Sequence, residues 1–209
     1  MSPLKSTFLL ITFLVAIPLS NLFAQKPTLT QLTKTKVDSL RKTGADAIMW
    51  YKSYCGECEV ISHETHPASI PANHYCTVDA QGYTLTDNVI LYKQNDSYYK
   101  LIFDCTYPLK KEKLDSCRSI AYFISIVPVL NHRDRAIKAL YKSGRFLGPS
   151  QSDGGFEDVT LYLKKASQRV SMADGEKGDM YAVYKKYFWI NKEIKLLDLI
   201  EKDIAIKNK

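Results

Sequence analysis

The 209-residue chain lacks the short signatures by which many enzymes are recognised. It contains no Gly-x-Ser-x-Gly, no His-Glu-x-x-His and no P-loop pattern, which sets aside elbow-type serine hydrolases, helix-borne zinc proteases and P-loop nucleotide enzymes. Position 59 is Glu where haem attachment through Cys-x-x-Cys-His needs histidine. No internal repeat and no long low-complexity tract is present. Beyond the N-terminus, the apolar segment Ile120 to Leu130 spans only about half a membrane thickness and contains Pro128, so it reads as core. The formal charge is +7, yet the lysines are spread out, with short clusters at Lys110 to Lys113, Lys164 to Lys165 and Lys185 to Lys186. Without a basic stripe or a known motif, no nucleic-acid partner is expected.

What is present begins with Met1 to Ala24: a basic Lys5, an apolar run from Phe8 to Ile17 and a small Ala24 before Gln25. This is the pattern of a secretory signal peptide, so residues 25–209 are expected to form one domain, secreted or periplasmic, with no transmembrane segment after signal removal. No cysteine lies near the cleavage point, which argues against a lipoprotein anchor. Export makes disulfides the default reading of Cys55, Cys58, Cys76, Cys105 and Cys117. Their odd number leaves one thiol over, and the sequence selects neither that thiol nor the pairing.

Three of these cysteines and three of the four histidines fall between Cys55 and Cys76. As a redox motif, Cys55-Gly-Glu-Cys58 follows an apolar stretch carrying Trp50 and Tyr54, which is where thioredoxin-like folds place a Cys-x-x-Cys. Against this, Glu57 and Glu59 raise thiol pKa values, and Pro67 and Pro71 cut short the helix such folds need. As a metal site, Cys55, Cys58, His63, His66, His74 and Cys76 offer ligand types suited to zinc or copper, but no zinc-finger or ribbon spacing exists. His63, His66 and His74 are the metal candidates, and no cofactor is expected. The likeness of Cys-Gly-Glu-Cys to papain-type proteases fails: Glu59 replaces an aromatic residue, Lys52 stands where an oxyanion-hole glutamine belongs, and no histidine lies far enough downstream.

Periodicity predicts an α+β fold, an antiparallel sheet with flanking N-terminal, central and C-terminal helices. Leu29, Leu32, Val37 and Leu40 form a helical stripe that Thr28 or Thr30 can open and Gly44 can stop. Ala47 to Tyr54 reads as a buried strand. Asn88 to Gln94 and Ser97 to Asp104 read as a hairpin turning at Asn95-Asp96, two residues that tolerate positive φ. A charged segment after Pro108 is expected to lead into a helix with Leu114, Cys117, Ile120, Ala121 and Ile124 on one side, ending before Pro128. A second helix is expected from Asn131 to Lys142. The Gly-rich run 148–155 reads as a flexible loop, with Asp153, Glu157 and Asp158 as solvated carboxylates beside it. Val159 to Lys164, Arg169 to Met172 and Tyr181 to Trp189 read as strands. Asn191 to Ile204 reads as a closing amphipathic helix with Glu193 and Lys202 set for its dipole.

The hairpin Leu91-Tyr92-Lys93-Gln94-Asn95-Asp96-Ser97-Tyr98-Tyr99-Lys100, its exit Phe103-Asp104-Cys105 and the closing helix resemble small exported proteins of Bacteroidetes-type bacteria to which no activity is assigned. That resemblance implies no catalytic residue. The tyrosines, fourteen in all, concentrate at Tyr92 to Tyr107 and Tyr181 to Phe188, and alternate tyrosines on a sheet can present a binding face. The expected function is therefore an exported, disulfide-containing binding or structural protein whose partner is a protein, peptide or glycan. The alternatives are a thiol-disulfide redox protein acting through Cys55 and Cys58, and a Cys/His metal-binding protein.

Overall fold

The computed structural model describes residues 28–55, 84–103, 110–143, 155–178 and 181–205. The predicted signal segment, Cys58, Cys76, Cys105, the three candidate histidines and residues 148–154 of the predicted loop 148–155 lie outside these residues.

The chain opens with helix α1 (Leu29–Lys42). Its first turn is closed by a capping box: Thr28 Oγ1 accepts from the Gln31 backbone N–H, and Gln31 Oε1 accepts from the Thr28 N–H at 2.9 Å. Gly44, at φ +81°, ends it in the left-handed conformation that glycine adopts without strain. Strands β1 (Ala47–Cys55), β2 (Thr84–Gln94), β3 (Ser97–Ile102) and β4 (Lys110–Leu114) follow, then helix α2 (Arg118–Lys142). Strands β5 (Phe156–Leu163) and β6 (Ser167–Ala173) lead through short α3 (Asp174–Lys177) and α4 (Tyr181–Tyr184) to α5 (Ile190–Ala205). The strands form one antiparallel sheet in the order β4-β3-β2-β1-β5-β6, in agreement with the predicted α+β class.

β1 lies at the centre, paired on one side with β2 and on the other with β5. Side chains alternate across a strand, so β1 divides its residues between two cores. Met49 and Tyr51 pack with α2, α5, Val89, Leu91, Val159 and Leu161. Ile48, Trp50 and Tyr54 pack with α1, Ile90, Tyr92 and Leu101. The sheet is thus covered by two long helices on one face and by one on the other. A buried polar chain fixes α1 in place. Trp50 Nε1 donates to Asn88 Oδ1 at 2.7 Å, Asn88 Nδ2 donates to Thr33 Oγ1 at 2.6 Å, and Thr33 Oγ1 donates to the Leu29 carbonyl at 2.8 Å. Because each buried polar group in this chain has a partner, α1 is tied over β1 and β2.

The β2–β3 hairpin turns where the sequence indicated: Gln94 pairs with Ser97, and Asn95 and Asp96 have φ of 49° and 57°. Positive φ at both central residues is the geometry that matches the twist of a two-residue hairpin. The sheet edges are protected. β4 carries Lys110, Lys111 and Lys113, the charge pattern that discourages strand addition. On β6 the Arg169 carbonyl accepts from Arg133 Nη2 at 2.8 Å, and the Ala173 N–H donates to Glu176 Oε2 at 2.9 Å.

Three expectations are overturned. Lys110 to Leu114 forms strand β4 rather than the approach to a helix, because it completes the ladder with β3 from Tyr98↔Leu114 to Ile102↔Lys110. Tyr181 to Trp189 is not a strand. Its backbone closes local bonds, Lys185 N–H to the Tyr181 carbonyl and Tyr187 N–H to the Tyr184 carbonyl, and the β6 edge it would join is occupied by side chains. The two helices expected on either side of Pro128 are one 25-residue helix. Pro128 and Ile124 face solvent, so the carbonyl that loses its i+4 donor is on the hydrated side, while Phe123, Ile126 and Leu130 keep the opposite side packed. The apolar stripe is therefore set by Ile120, Phe123, Ile126 and Leu130, with Ala121 and Ile124 exposed.

Since proline in an exposed helix interior costs up to about 3 kcal/mol relative to alanine, Pro128→Ala is expected to raise stability by roughly 1–3 kcal/mol in urea denaturation. A lowered midpoint would show that α2 depends on the proline.

Candidate functional site

α1 covers β1 and β2 but leaves much of β5 and β6 open on the same face. The register puts Lys52 opposite Asp158, Trp50 opposite Thr160, Thr160 opposite Arg169, and Tyr162 opposite Ser167. These side chains and Ser171 line an open groove of about 880 Å³ that reaches round the β6 edge to Arg133 and Asp134 of α2.

The charged floor of the groove is built on Asp158, which is 2 % exposed. Lys52 Nζ lies 2.6 Å from its Oδ2, and Arg169 Nε donates to its Oδ1 at 2.5 Å. Lys52 also sits over the Trp50 ring at 4.8 Å and the Tyr54 ring at 5.5 Å, and Tyr54 stacks on Phe156 at 4.4 Å. Burial by itself lowers the Lys52 pKa, but Asp158 more than offsets this and holds it above its ordinary value. Two cations thus share one carboxylate. Arg169 is 64 % exposed in its side chain, and its Nη groups have no hydrogen-bond partner among the described residues. At the upper end, Arg41 stands 5.4 Å over the Tyr162 ring. The arrangement offers donors, hydroxyls and one net positive charge to a ligand lying across the strands.

A second, smaller cavity of about 190 Å³ lies on the far side of Arg133, lined by Ile137, Glu176, Tyr184, Tyr187, Trp189 and Glu193 among others. Arg133 Nη1 pairs with Glu193 Oε1, while Nε donates to Asp134 Oδ1 at 2.8 Å. Glu193 is 3 % exposed, and burial pushes its carboxyl up to about 7 against the pull of Arg133. Glu193 stands in the first turn of α5, as expected, and there it is a core group paired across 60 positions of sequence. Glu176 is likewise raised by burial.

The cysteine and histidine candidates separate. Cys55 closes β1, and Cys117 precedes α2 as a free, buried thiol. Burial pushes Cys117 up to about 12, so it is held as a thiol at neutral pH and is not a nucleophile. Its role is structural. Its Sγ lies 3.4 Å from Asp203 Oδ2, which also accepts from the Ser119 N–H at 2.8 Å and Ser119 Oγ at 2.6 Å. Asp203 of α5 thus caps α2 from a distant part of the chain. The remaining candidates, Cys58, Cys76, Cys105, His63, His66 and His74, lie outside the described residues. Among the described residues no group of three or more His, Cys, Asp or Glu side chains is placed to hold a metal ion, and no helix is long and apolar enough to cross a membrane.

Glu157 and Asp158, expected as solvated loop carboxylates, are instead buried in β5. Asp158 holds the groove cations, and Glu157 Oε1 accepts from Tyr51 Oη at 2.8 Å while Lys177 pairs with its other oxygen. Of the hairpin tyrosines, Tyr92 is core and stacks on half-buried Tyr99 at 5.0 Å. The signal that marks the groove was present in the sequence as polar alternation in two neighbouring strands, Asp158-Thr160-Tyr162 and Ser167-Arg169-Ser171. No sequence signal joined Arg133 to Glu193. No known family, curated protein or solved structure matches the chain.

Because the folded carboxyl of Glu193 sits near 7 and its ordinary value is 4.5, the fold binds a proton where the unfolded chain has lost it. This contribution is full below pH 4.5 and is lost as pH rises through about 7. Urea-denaturation stability of Glu193→Gln measured between these limits should lack that decline. An identical slope in the parent protein and the variant would contradict the assignment.

Proposed function

We propose that this chain is an exported, disulfide-containing binding protein without catalytic activity, and that it takes an extended peptide or glycan segment in the groove over β5 and β6. The observation that carries the reading is the uncovered half of the sheet face, where Arg169 and Lys52 converge on buried Asp158 beside Thr160, Tyr162 and Ser171. A rigid sheet with hydroxyls and an outward guanidinium is suited to hydrogen-bonding a polar chain, and the aromatic Trp50 and Tyr162 in the same lining provide apolar surface. Export is supported by the apolar N-terminal run and by Cys55, which is disulfide-bonded. A binding role rather than nucleophilic catalysis is supported by Cys117, whose thiol is buried among structural partners.

The test is a screen of the full exported protein on immobilised glycan and peptide arrays, followed by titration of the best ligand. Arg169→Ala is expected to weaken that ligand about tenfold, the worth of a charge-assisted hydrogen bond, with little change in melting temperature because Lys52 still pairs with Asp158. Binding unaffected by Arg169→Ala and Tyr162→Ala would remove the groove from the account. Turnover in an insulin-reduction assay that Cys55→Ser abolishes would replace it with the thiol-disulfide reading.

A further inference from the structure

The groove does not end at Tyr162. A hollow of about 470 Å³ between the last turn of α1 and the start of β1 has Tyr162 in its wall as well, so the two spaces join along β5. From Asp158 to Lys164 the joined channel runs about 20 Å, at roughly 3.4 Å per residue. Arg41 and Lys42 of α1 and Lys164 line the hollow, so six basic and three acidic side chains border the whole channel. They come from positions 41 to 169, which is why no basic stripe shows in the sequence. Every carboxylate among them has a partner. Lys52 and Arg169 Nε hold Asp158, Lys34 takes Asp38 at 2.8 Å, and Asp134 is held by Arg133 and Gln168. Lys164 in turn reaches Asp46 at 3.2 Å. The channel groups with neither hydrogen-bond nor ion-pair partner among the described residues are cationic: the Nη groups of Arg169, the Arg41 guanidinium and the Lys42 ammonium. With Lys34, Asp46 and Glu193 counted as partners outside the lining, seven cations face five carboxylates, a surplus of two.

Resting on the groove as the binding surface, we propose that its ligand is an acidic glycan, with one acid group on the Arg169 Nη pair, another on Arg41 and Lys42, and sugar hydroxyls between them on Thr160, Ser167 and Tyr162. A guanidinium fork meets a carboxylate, or a sulfate oxygen pair, with two parallel N–H···O bonds, and the Nε bond to Asp158 already orients Arg169. Protein hydroxyls both donate and accept, so they match sugar hydroxyls turned either way. An extended peptide finds less here. The β6 edge, where a strand would add, is taken by Arg133 on the Arg169 carbonyl and by Glu176 on the Ala173 N–H. A nucleic-acid strand needs open aromatic faces for its bases, whereas Trp50 is 6 % exposed beneath Lys52 and Arg41 covers the Tyr162 ring.

The test is calorimetric titration of the full protein with hexagalacturonate and its neutral methyl ester, with sulfated and unsulfated maltohexaose, and with hexaglutamate and hexathymidylate. An acidic glycan is expected to bind about a hundredfold more tightly than its neutral counterpart, tenfold for each charge-assisted contact, and the tighter of the two acids identifies carboxylate or sulfate. Binding should be largely lost in about 1 M sodium chloride, where charges are screened beyond about 3 Å. Arg41→Ala and Arg169→Ala should each weaken it about tenfold at unchanged melting temperature. Lys192→Ala, which removes the same charge from the exposed side of α5 across the sheet, should leave affinity unchanged. Equal affinity for acidic and neutral glycans that Tyr162→Ala abolishes would overturn the acidic ligand and keep the groove as the binding surface. Binding that Arg41→Ala, Arg169→Ala and Tyr162→Ala all leave intact would overturn both. Hexaglutamate or hexathymidylate bound as tightly as the acidic glycans would overturn the glycan, as would no measurable binding of either acidic glycan.

Discussion

The burial of β1 on both faces is the constraint on which the rest of the structure depends. A strand paired on both edges and apolar on alternate sides must be covered twice, and this chain covers it unequally. One face has α2 and α5, long enough to span much of the sheet. The other has only the 14 residues of α1, anchored over β1 and β2 by the Trp50–Asn88–Thr33 chain. That anchoring leaves the outer strands β5 and β6 uncovered, and the groove lies there. A surface available for binding is thus a consequence of how the core is closed.

On the doubly covered face, polar side chains from distant parts of the sequence lock the helices to one another and to the sheet. Asp203 of α5 satisfies the first turn of α2. Lys100 of β3, 2 % exposed, donates to the Ile204 carbonyl at 2.8 Å and pairs with Glu112 of β4 at 2.9 Å, placing a cation where a helix C-terminus favours one. Arg133 joins α2 to α5 and to the β6 edge. Removing one partner of such a buried pair typically costs about 3–5 kcal/mol, because the other is left charged and unsatisfied. Arg133 also separates the groove from the aromatic cavity, so the residue that braces the two helices forms a wall of both recesses.

The local features were legible in the sequence because their causes are local. The Thr28 cap, Gly44, the Asn95-Asp96 turn and the buried apolar run of β1 each follow from a few neighbouring residues. What was misread depended on partners far along the chain. β4 is polar and lysine-rich and has the character of an edge only once β3 lies beside it. Pro128 stops a helix in isolation, yet α2 continues because the proline falls on the solvent side of a packed helix. Of the candidate sites, the polar alternation in β5 and β6 was visible, but its meaning required knowing that α1 stops short of it. Arg133, Glu176 and Glu193 carry no motif; only the fold brings them together. The Cys55 to Cys76 cluster drew attention by composition, and within the described residues it contributes Cys55 at the end of the central strand.

The central claim, that the β5–β6 face is open beside α1, is tested most directly by hydroxyl-radical footprinting of the full protein in solution. The account predicts oxidation of Tyr162 in the groove while Met49 and Met172, intrinsically more reactive but at most 1 % exposed, remain unmodified until the protein unfolds. A protected Tyr162, or early oxidation of Met49, would contradict it.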